Sequence, residues 1–284
     1  MKNNQLTVVI PTLGKKNMLD TLKILNSNKF IKEIIISLPN NSIINNYHKH
    51  FKKVKVIYSR LRGQVYQRIS AYNFITTKYI LYIDDDIIFD RNLVKNLFYS
   101  KLKKGHKSVI APIYYDKQNK KKIHPLKGNL IFSIKKLIHF FLFNVSMGAS
   151  RMGKISLAGS CYGVDGDFIF KNPLKTNWLP GGCFIISKEH MIKYNYYNCS
   201  GKAYCEDLIL SSLLIKNNIK LYVEKNAKVF TDPPTKIKKT QDLIDYLNGH
   251  KIYCRQAKLK NLRVKIWRFI FLLRLKLKNF KFIK

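Results

Sequence analysis

Three consecutive aspartates, Asp84, Asp85 and Asp86, follow a short apolar run, Tyr79–Ile83, in a chain whose formal charge is +37. Adjacent carboxylates repel one another unless something positive sits among them. In an extended segment side chains two apart point the same way, so Asp84 and Asp86 converge while Asp85 faces elsewhere. One or two carboxylates plus substrate phosphates are the usual holders of a hard ion such as Mg²⁺ or Mn²⁺, and that is the chemistry the triplet points to. The plainer alternative is a solvated acidic turn that caps the helix after it. A second acidic pair, Glu206-Asp207, opens a stretch of helical character, 208–216, where the helix dipole tolerates negative charge. Capping alone accounts for one of the two.

The elements that must position these residues follow from the hydrophobic pattern. Tyr79–Ile83 is too short for a helix and apolar on both faces, which predicts a parallel-sheet strand buried on both sides. Ligands of open α/β sheets lie beyond the carboxyl ends of the strands, where the aspartates emerge. Leu6–Ile10 reads as the first strand, followed by a Pro-Thr-x-Gly turn and a helical stretch through Met18, Leu19, Leu22 and Leu25. A second strand ends at Leu38, a third spans Val54–Tyr58, and Gly63–Thr76 is helical. This alternation predicts an α/β fold built on a single doubly wound, mostly parallel sheet flanked by helices. Asp90 is placed to cap a helix over 91–104 that Gly105 ends. Ser108–Tyr114 and Cys183–Ser187 read as strands, 220–224 and 228–230 as shorter ones, 117–127 as a basic loop, and 129–167 as irregular.

At 284 residues the chain can bury a full core as one large α/β domain with additions, or as two small ones. Its five cysteines show no CxxC pairing and are odd in number, which argues against a disulfide framework or zinc knuckle and for a reducing, cytoplasmic setting. The N-terminus has no signal-peptide pattern, and apolar runs such as Leu137–Met147 stop short of a membrane span. The positive charge favours an anionic partner, nucleic acid or an anionic membrane surface. From Lys251 onward twelve Lys or Arg stand without an acid, while Leu262, Ile266, Phe269, Ile270, Leu273, Leu277 and Phe280 share one helical face. That is a basic amphipathic helix, suited to an anionic membrane surface at the inner face of the cell membrane or to packing on the domain.

From Leu6 to Pro234 the text resembles the family-2 glycosyltransferases, whose catalytic domain has the GT-A fold. The resemblance rests on six motifs in order: VVIPT, GQVYQR, IDDD, GKISLAGS, WLPGG and EDLILSSLLIKNNIKLYVEKNAKVF. It implies a catalytic domain over 1–235 and a helical tail over 236–284. It implies an inverting, metal-dependent transfer of a sugar from a UDP-, dTDP- or GDP-linked donor to a glycan or lipid-linked glycan of the cell surface. Pro11 and Thr12 would lie beside the nucleoside, Asp84 and Asp85 on the donor, and Asp86 on a Mn²⁺ or Mg²⁺ bridging the diphosphate. Arg68, and after it Arg62, would hold phosphates. Asp207 matches the family's general base, with Glu206 orienting or capping. Gly181 and Gly182 would let the backbone approach the sugar, on which Trp178 would stack unless it lies under the turn.

Two departures from the family's pattern stand out. SLPNN lacks the aspartate that often meets the nucleoside base, leaving Ser37 or Asn40, and Asp232 stands where many members have a metal-binding histidine. Two other classes remain as alternatives. A basic nucleic-acid-binding protein accounts for the charge but not for two acidic clusters that repel phosphate. A nucleotidyltransferase lacks here a glycine- and arginine-rich phosphate loop after the first strand.

Overall fold

The computed structural model describes residues 5–44, 46–124, 140, 142, 144, 148–168, 171–197, 203–232 and 240–280. The chain starts as strand β1 (Leu6–Pro11), helix α1 (Leu19–Asn26), β2 (Ile31–Pro39), β3 (Val54–Ser59), α2 (Gln64–Ser70) and β4 (Tyr79–Ile83). It continues as β5 (Ile88–Phe89), α3 (Leu93–Lys104), β6 (Ser108–Asp116), β7 (Leu174–Thr176) and β8 (Cys183–Ser187). It ends with α4 (Glu206–Lys216), β9 (Lys220–Thr231), α5 (Thr240–Gln256) and α6 (Asn261–Phe280).

The nine strands form one sheet in the order β3-β2-β1-β4-β8-β6-β9-β5, with β7 also on β9. The half that holds the aspartate strand is parallel, β3, β2, β1 and β4 running together. β8 then enters antiparallel between β4 and β6, and β6 pairs parallel with β9. The carboxyl ends of β1, β4, β6 and β9 and the start of β8 therefore share one edge. Successive side chains of a strand point to opposite faces. Val8, Ile34 and Leu81 accordingly join Leu22, Leu97 and Phe98 of α1 and α3 in one core. Val9, Ile35 and Ile80 join Leu210 and Leu214 of α4 in the other.

Several local expectations are met to within a residue or two, β4 and β8 among them. Asp90 Oδ1 accepts from Asn92 N at 2.8 Å ahead of α3, and Gly105 leaves that helix at φ 80°. Others change. The two short strands expected near the end are one, β9, bent where the register shifts between Pro112 and Ile113 of β6. There Glu224 Oε1 accepts from Asn226 N at 2.9 Å. The pairs that make β5 and β7 lie on β9, far along the chain. Most of Leu137–Met147 and the division suggested near 235 fall outside the described residues.

The C-terminal extension is two helices. Tyr253, Cys254 and Val264 are buried in one cluster with Trp178, Leu208 and Ile209, so α5 and the start of α6 belong to the core. Ile266, Trp267 and Ile270 pack toward Ala158 and Tyr162, whereas Leu262 is 70% and Phe269 68% exposed. Among the described residues no helix is long and apolar enough to cross a membrane. The extension packs tightly at Gly249, where an added Cβ would stand 2.1 Å from Tyr204 O. Such overpacking costs about 1–3 kcal/mol. Gly249→Ala should therefore lower Tm by a few degrees in a circular-dichroism melt; an unchanged Tm would mean that α5 does not dock at this loop.

Candidate active site

A cleft of about 830 Å³ opens at the carboxyl ends of β1 and β4. Its floor carries Pro11, Thr12, Asp84, Asp85 and Asp86, and its lip carries Lys15, Lys16 and Arg62. The turn after β1 is fixed from inside. Thr12 Oγ1 donates to Asp85 Oδ2 and accepts from Gly14 N at 3.0 Å. The Gln67 amide donates to Thr12 O at 2.7 Å and to Ser37 O, and Ser37 Oγ donates back to Gln67 O at 2.8 Å. Ser37, fully buried, is thus a brace between β2 and α2 and is not turned to a nucleoside. Asn40 follows β2 at the surface, its N donating to Ser59 O at 2.9 Å.

Behind this floor lies one buried guanidinium. Arg68 Nη1 donates to Glu206 Oε1 at 3.1 Å, and Nη2 donates to Gly181 O at 2.7 Å and to Asp84 Oδ1 at 3.4 Å. The rings of Tyr82 and Phe184 flank it at 5.5 and 5.6 Å. Its side chain is 4% exposed. Burial works against its charge, and Glu206 and Asp84 outweigh burial, so its proton is held more firmly than usual. Arg68 therefore does not reach out to donor phosphates, as its type suggested. It ties three segments together, and the cations that face the cleft are those of the lip.

Glu206 Oε1 also accepts from Tyr196 Oη, which completes its shell. Asp84 Oδ1 accepts from Gln64 Nε2, and Asp84 N donates to Gly182 O at 2.8 Å. Burial pushes the Asp84 carboxyl up to about 7 against the pull of Arg68, with the charge of Asp86 adding to the rise. Burial likewise raises Asp85, opposed by its bond from Thr12. The chain enters α4 through Cys205 at φ 62°, an unusual conformation for a residue with a Cβ. The helix then begins at once with Glu206 and Asp207. Burial, and next the charge of Glu206, push Asp207 up to about 7, while its Oδ1 accepts from Leu208 N at 2.9 Å.

The WLPGG turn threads between these carboxylates. A Cβ on Gly181 would lie 3.0 Å from Glu206 Oε2 and 3.4 Å from Asp207 Cβ, and one on Gly182 would lie 3.1 Å from Asp84 Oδ2. Trp178 is under the turn, 5% exposed, its Nε1 donating to Tyr162 O at 2.9 Å, so its ring holds the turn and offers no open face for stacking. Asp232 is paired with Lys117 at 2.6 Å. It leaves β9 at the edge where Asp86 enters β5, because Ile88 pairs with Phe230. Reasoning from sequence missed Gln64, Gln67, Tyr196 and the lip lysines. Gln64, Gln67 and Arg68 sit at helical i, i+3, i+4 spacing, a signal that was available; Tyr196 had none.

An acidic edge of this kind on a half-parallel sheet is that of a GT-A fold. The profile of glycosyl transferase family 2 matches residues 7–159, more than half of the sequence, and the chain belongs to that family. Among solved structures, it superposes on "Crystal structure of GalNAc-T7 with UDP, GalNAc and Mn2+" with a TM-score of 0.58 at 14% identity. That match covers 89% of this chain and 50% of the other, so the chain spans half the length of that relative. A mycobacterial protein superposes with a TM-score of 0.53 at 10% identity, over 92% of this chain and 77% of its own. No curated protein matches the chain.

Removing Arg68 leaves the buried Glu206 carboxylate, and beside it the partly buried Asp84, without compensation, a change that typically costs 3–5 kcal/mol. Arg68→Met should therefore lower Tm of the ligand-free protein by roughly 10 °C. A protein of unchanged Tm with a raised donor KM would instead return Arg68 to the phosphates.

Proposed function

We propose that this glycosyltransferase moves a sugar from a nucleoside diphosphate donor to a hydroxyl of a glycan or lipid-linked glycan, with inversion and with a divalent metal. The observation that carries the reading is the shared cleft: an acidic floor, a basic lip, and the Glu206-Asp207 pair just across Gly181 and Gly182. Pro11 and the Thr12–Asp85 pair would border the nucleoside, and Lys15, Lys16 and Arg62 would meet the diphosphate.

The donor set fits a hard cation. It offers carboxylate oxygens alone, and Asp84 is raised partly by the charge of Asp86, a repulsion that a cation would relieve. Asp86 would hold the ion, with Asp84 beside it and Asp232 at the same edge. Bound there, Mn²⁺ or Mg²⁺ supplies Lewis-acid stabilisation of the negative charge on a departing diphosphate. The Mn²⁺ and UDP of the GalNAc-T7 structure agree with this choice.

Asp207 is the base of the reading. It takes the proton of the acceptor hydroxyl as that oxygen attacks the anomeric carbon from the side opposite the diphosphate, which inverts the centre. A carboxylate at about 7 is matched to this task at neutral pH. Activity should then rise tenfold per pH unit up to about 7 and level off above it. Asp207→Asn should lose activity by about a hundredfold to ten-thousandfold. Because the folded carboxyl holds its proton above the unfolded value, its ionisation opposes folding, and stability falls as pH rises toward 7. Asp207→Asn should therefore raise Tm at pH above about 7 while abolishing transfer. Substantial transfer by this variant, or a flat pH profile, rejects the base. The donor itself is tested by thermal shifts with UDP, GDP and dTDP, with and without Mn²⁺. One diphosphate should raise Tm only when Mn²⁺ is present, and no response to any of them, beside a response to oligonucleotides, would bring back the nucleic-acid reading.

The outward face of α6 supports a peripheral seat on an anionic membrane at the cytoplasmic side. Leu262, Phe269, Leu272 and Leu273 are exposed there, with Lys260 and Lys265 exposed on the same helix and its approach. Apolar burial and attraction to anionic lipid add, at about 1 kcal/mol per basic residue. Leu262→Glu with Phe269→Glu should abolish sedimentation with phosphatidylglycerol vesicles and leave Tm unchanged; equal sedimentation of variant and parent would remove the membrane from the reading.

A further inference from the structure

A second set of metal-ligating side chains meets at the other edge of the sheet, the full length of β4 away from the aspartates. β6 and β8 are antiparallel neighbours, Ile110 opposite Ile185, so the residues before β6 adjoin the turn after β8. Ser187 Oγ donates to His106 O at 3.1 Å and joins the two segments. Ligand atoms of His106, Glu189 and His190 all lie within 4.8 Å of one another. The two imidazoles stack at 5.7 Å between centroids with 26° between planes. His190 Nε2 is enclosed, has no hydrogen-bond partner, and stands 3.5 Å from Glu189 Oε1. An unsatisfied ring nitrogen facing a carboxylate, with a second imidazole alongside, is a half-assembled coordination shell.

We propose that His106, Glu189 and His190 bind a transition-metal ion, Zn²⁺ foremost, at a site separate from the carboxylate cleft. Two imidazoles and a carboxylate, with water in the remaining position, form a donor set that Zn²⁺ takes readily, whereas Mg²⁺ prefers oxygen alone. His106 and Glu189 are exposed, which leaves room for that water and lets both side chains close on the ion.

The charged groups around the site act in both directions. Lys101 and Lys107 stand near the site on one side of the charge balance, and Glu189 on the other. The same lysines repel a cation. Lys101, though, is turned away, its Nζ donating to Gly105 O at 3.2 Å and His106 O at 2.8 Å, and burial lowers its own proton affinity to about 7. A metal here would staple the start of β6 to the end of β8, where the sheet changes from parallel to antiparallel.

The test is calorimetric titration of the full chain with Zn²⁺ in excess Mg²⁺, which keeps the carboxylate cleft occupied, together with thermal melts. One Zn²⁺ should bind and raise Tm. His106→Ala and His190→Ala should each weaken that binding at least tenfold and remove the Tm rise, and Asp86→Asn should leave both unchanged. Glu189→Gln, which keeps the shape and loses the charge, should weaken binding without lowering Tm of the metal-free protein. The proposal is overturned if the parent takes up no Zn²⁺. It is equally overturned if His190→Ala binds with the parent's stoichiometry and affinity, which would place the ion on other histidines such as His48 or His50.

Discussion

Everything at the cleft edge of the sheet depends on one buried cation. A carboxylate taken out of water must be neutralised or paired, and this site holds two on opposite sides of a turn, Asp84 and Glu206. Arg68 answers both from α2 while also donating to Gly181 O. Guanidinium suits the position because its donors form a planar fork, and a lysine would present a single charged point. Its Nε is left without a partner, so the arrangement is not the most stable one available. Buried ion pairs contribute little net stability, and their attested use is to specify one geometry. Here the geometry is the spacing between β4 and the start of α4, two elements more than a hundred residues apart in sequence.

That spacing is affordable only because the sheet is rigid on either side of it. Val8 and Val9, neighbours on β1, enter different cores, each floored by isoleucine and leucine with essentially no exposure. The central strand β4 is buried along its whole length, so the aspartates at its end inherit a fixed direction. A Cβ added at Gly181 or Gly182 would lie 3.0–3.1 Å from a carboxylate oxygen, tighter than ordinary packing, so the turn into β8 passes close to both acids. In a chain of net charge +37, Asp84, Asp85 and Asp86 line the cleft, and Lys15, Lys16 and Arg62 stand around the same opening.

Much of this was legible in the sequence, for reasons that also mark the limits. β4 and β8 were read to the residue because a continuous apolar run between polar turns has few other uses. β5 and β7, of two and three residues, carry no pattern of their own and exist only as partners of β9. The cleft-lining positions of Asp84–Asp86 followed from where strands end, and that of Thr12 from the family resemblance of the VVIPT motif. The inward turn of Arg68 and Trp178 did not, since residue type says what a side chain can bind and not which way its backbone aims it. The stripe on α6 was correct as a period and incomplete as a surface. A face that wide meets two environments, so Ile266 and Ile270 turn in while Leu262 and Phe269 turn out.

The order of the two acids at the start of α4 shows how one helix turn yields two different groups. A helix N-terminus lowers the proton affinity of a nearby carboxyl, and both Glu206 and Asp207 sit there. Glu206 is met by Arg68 and Tyr196, so its charge is satisfied and stays fixed in place. Asp207 has the bond from Leu208 N, lies further from Arg68 in effect, and feels the adjacent charge of Glu206, so burial and repulsion overcome the dipole. Exchanging the two residues would set the shorter side chain against Arg68 and break the tie that Glu206 makes. The raised proton affinity of Asp207 thus comes first from burial and then from the charge of the neighbouring Glu206, and Arg68, which pairs with Glu206 and Asp84, pulls the other way.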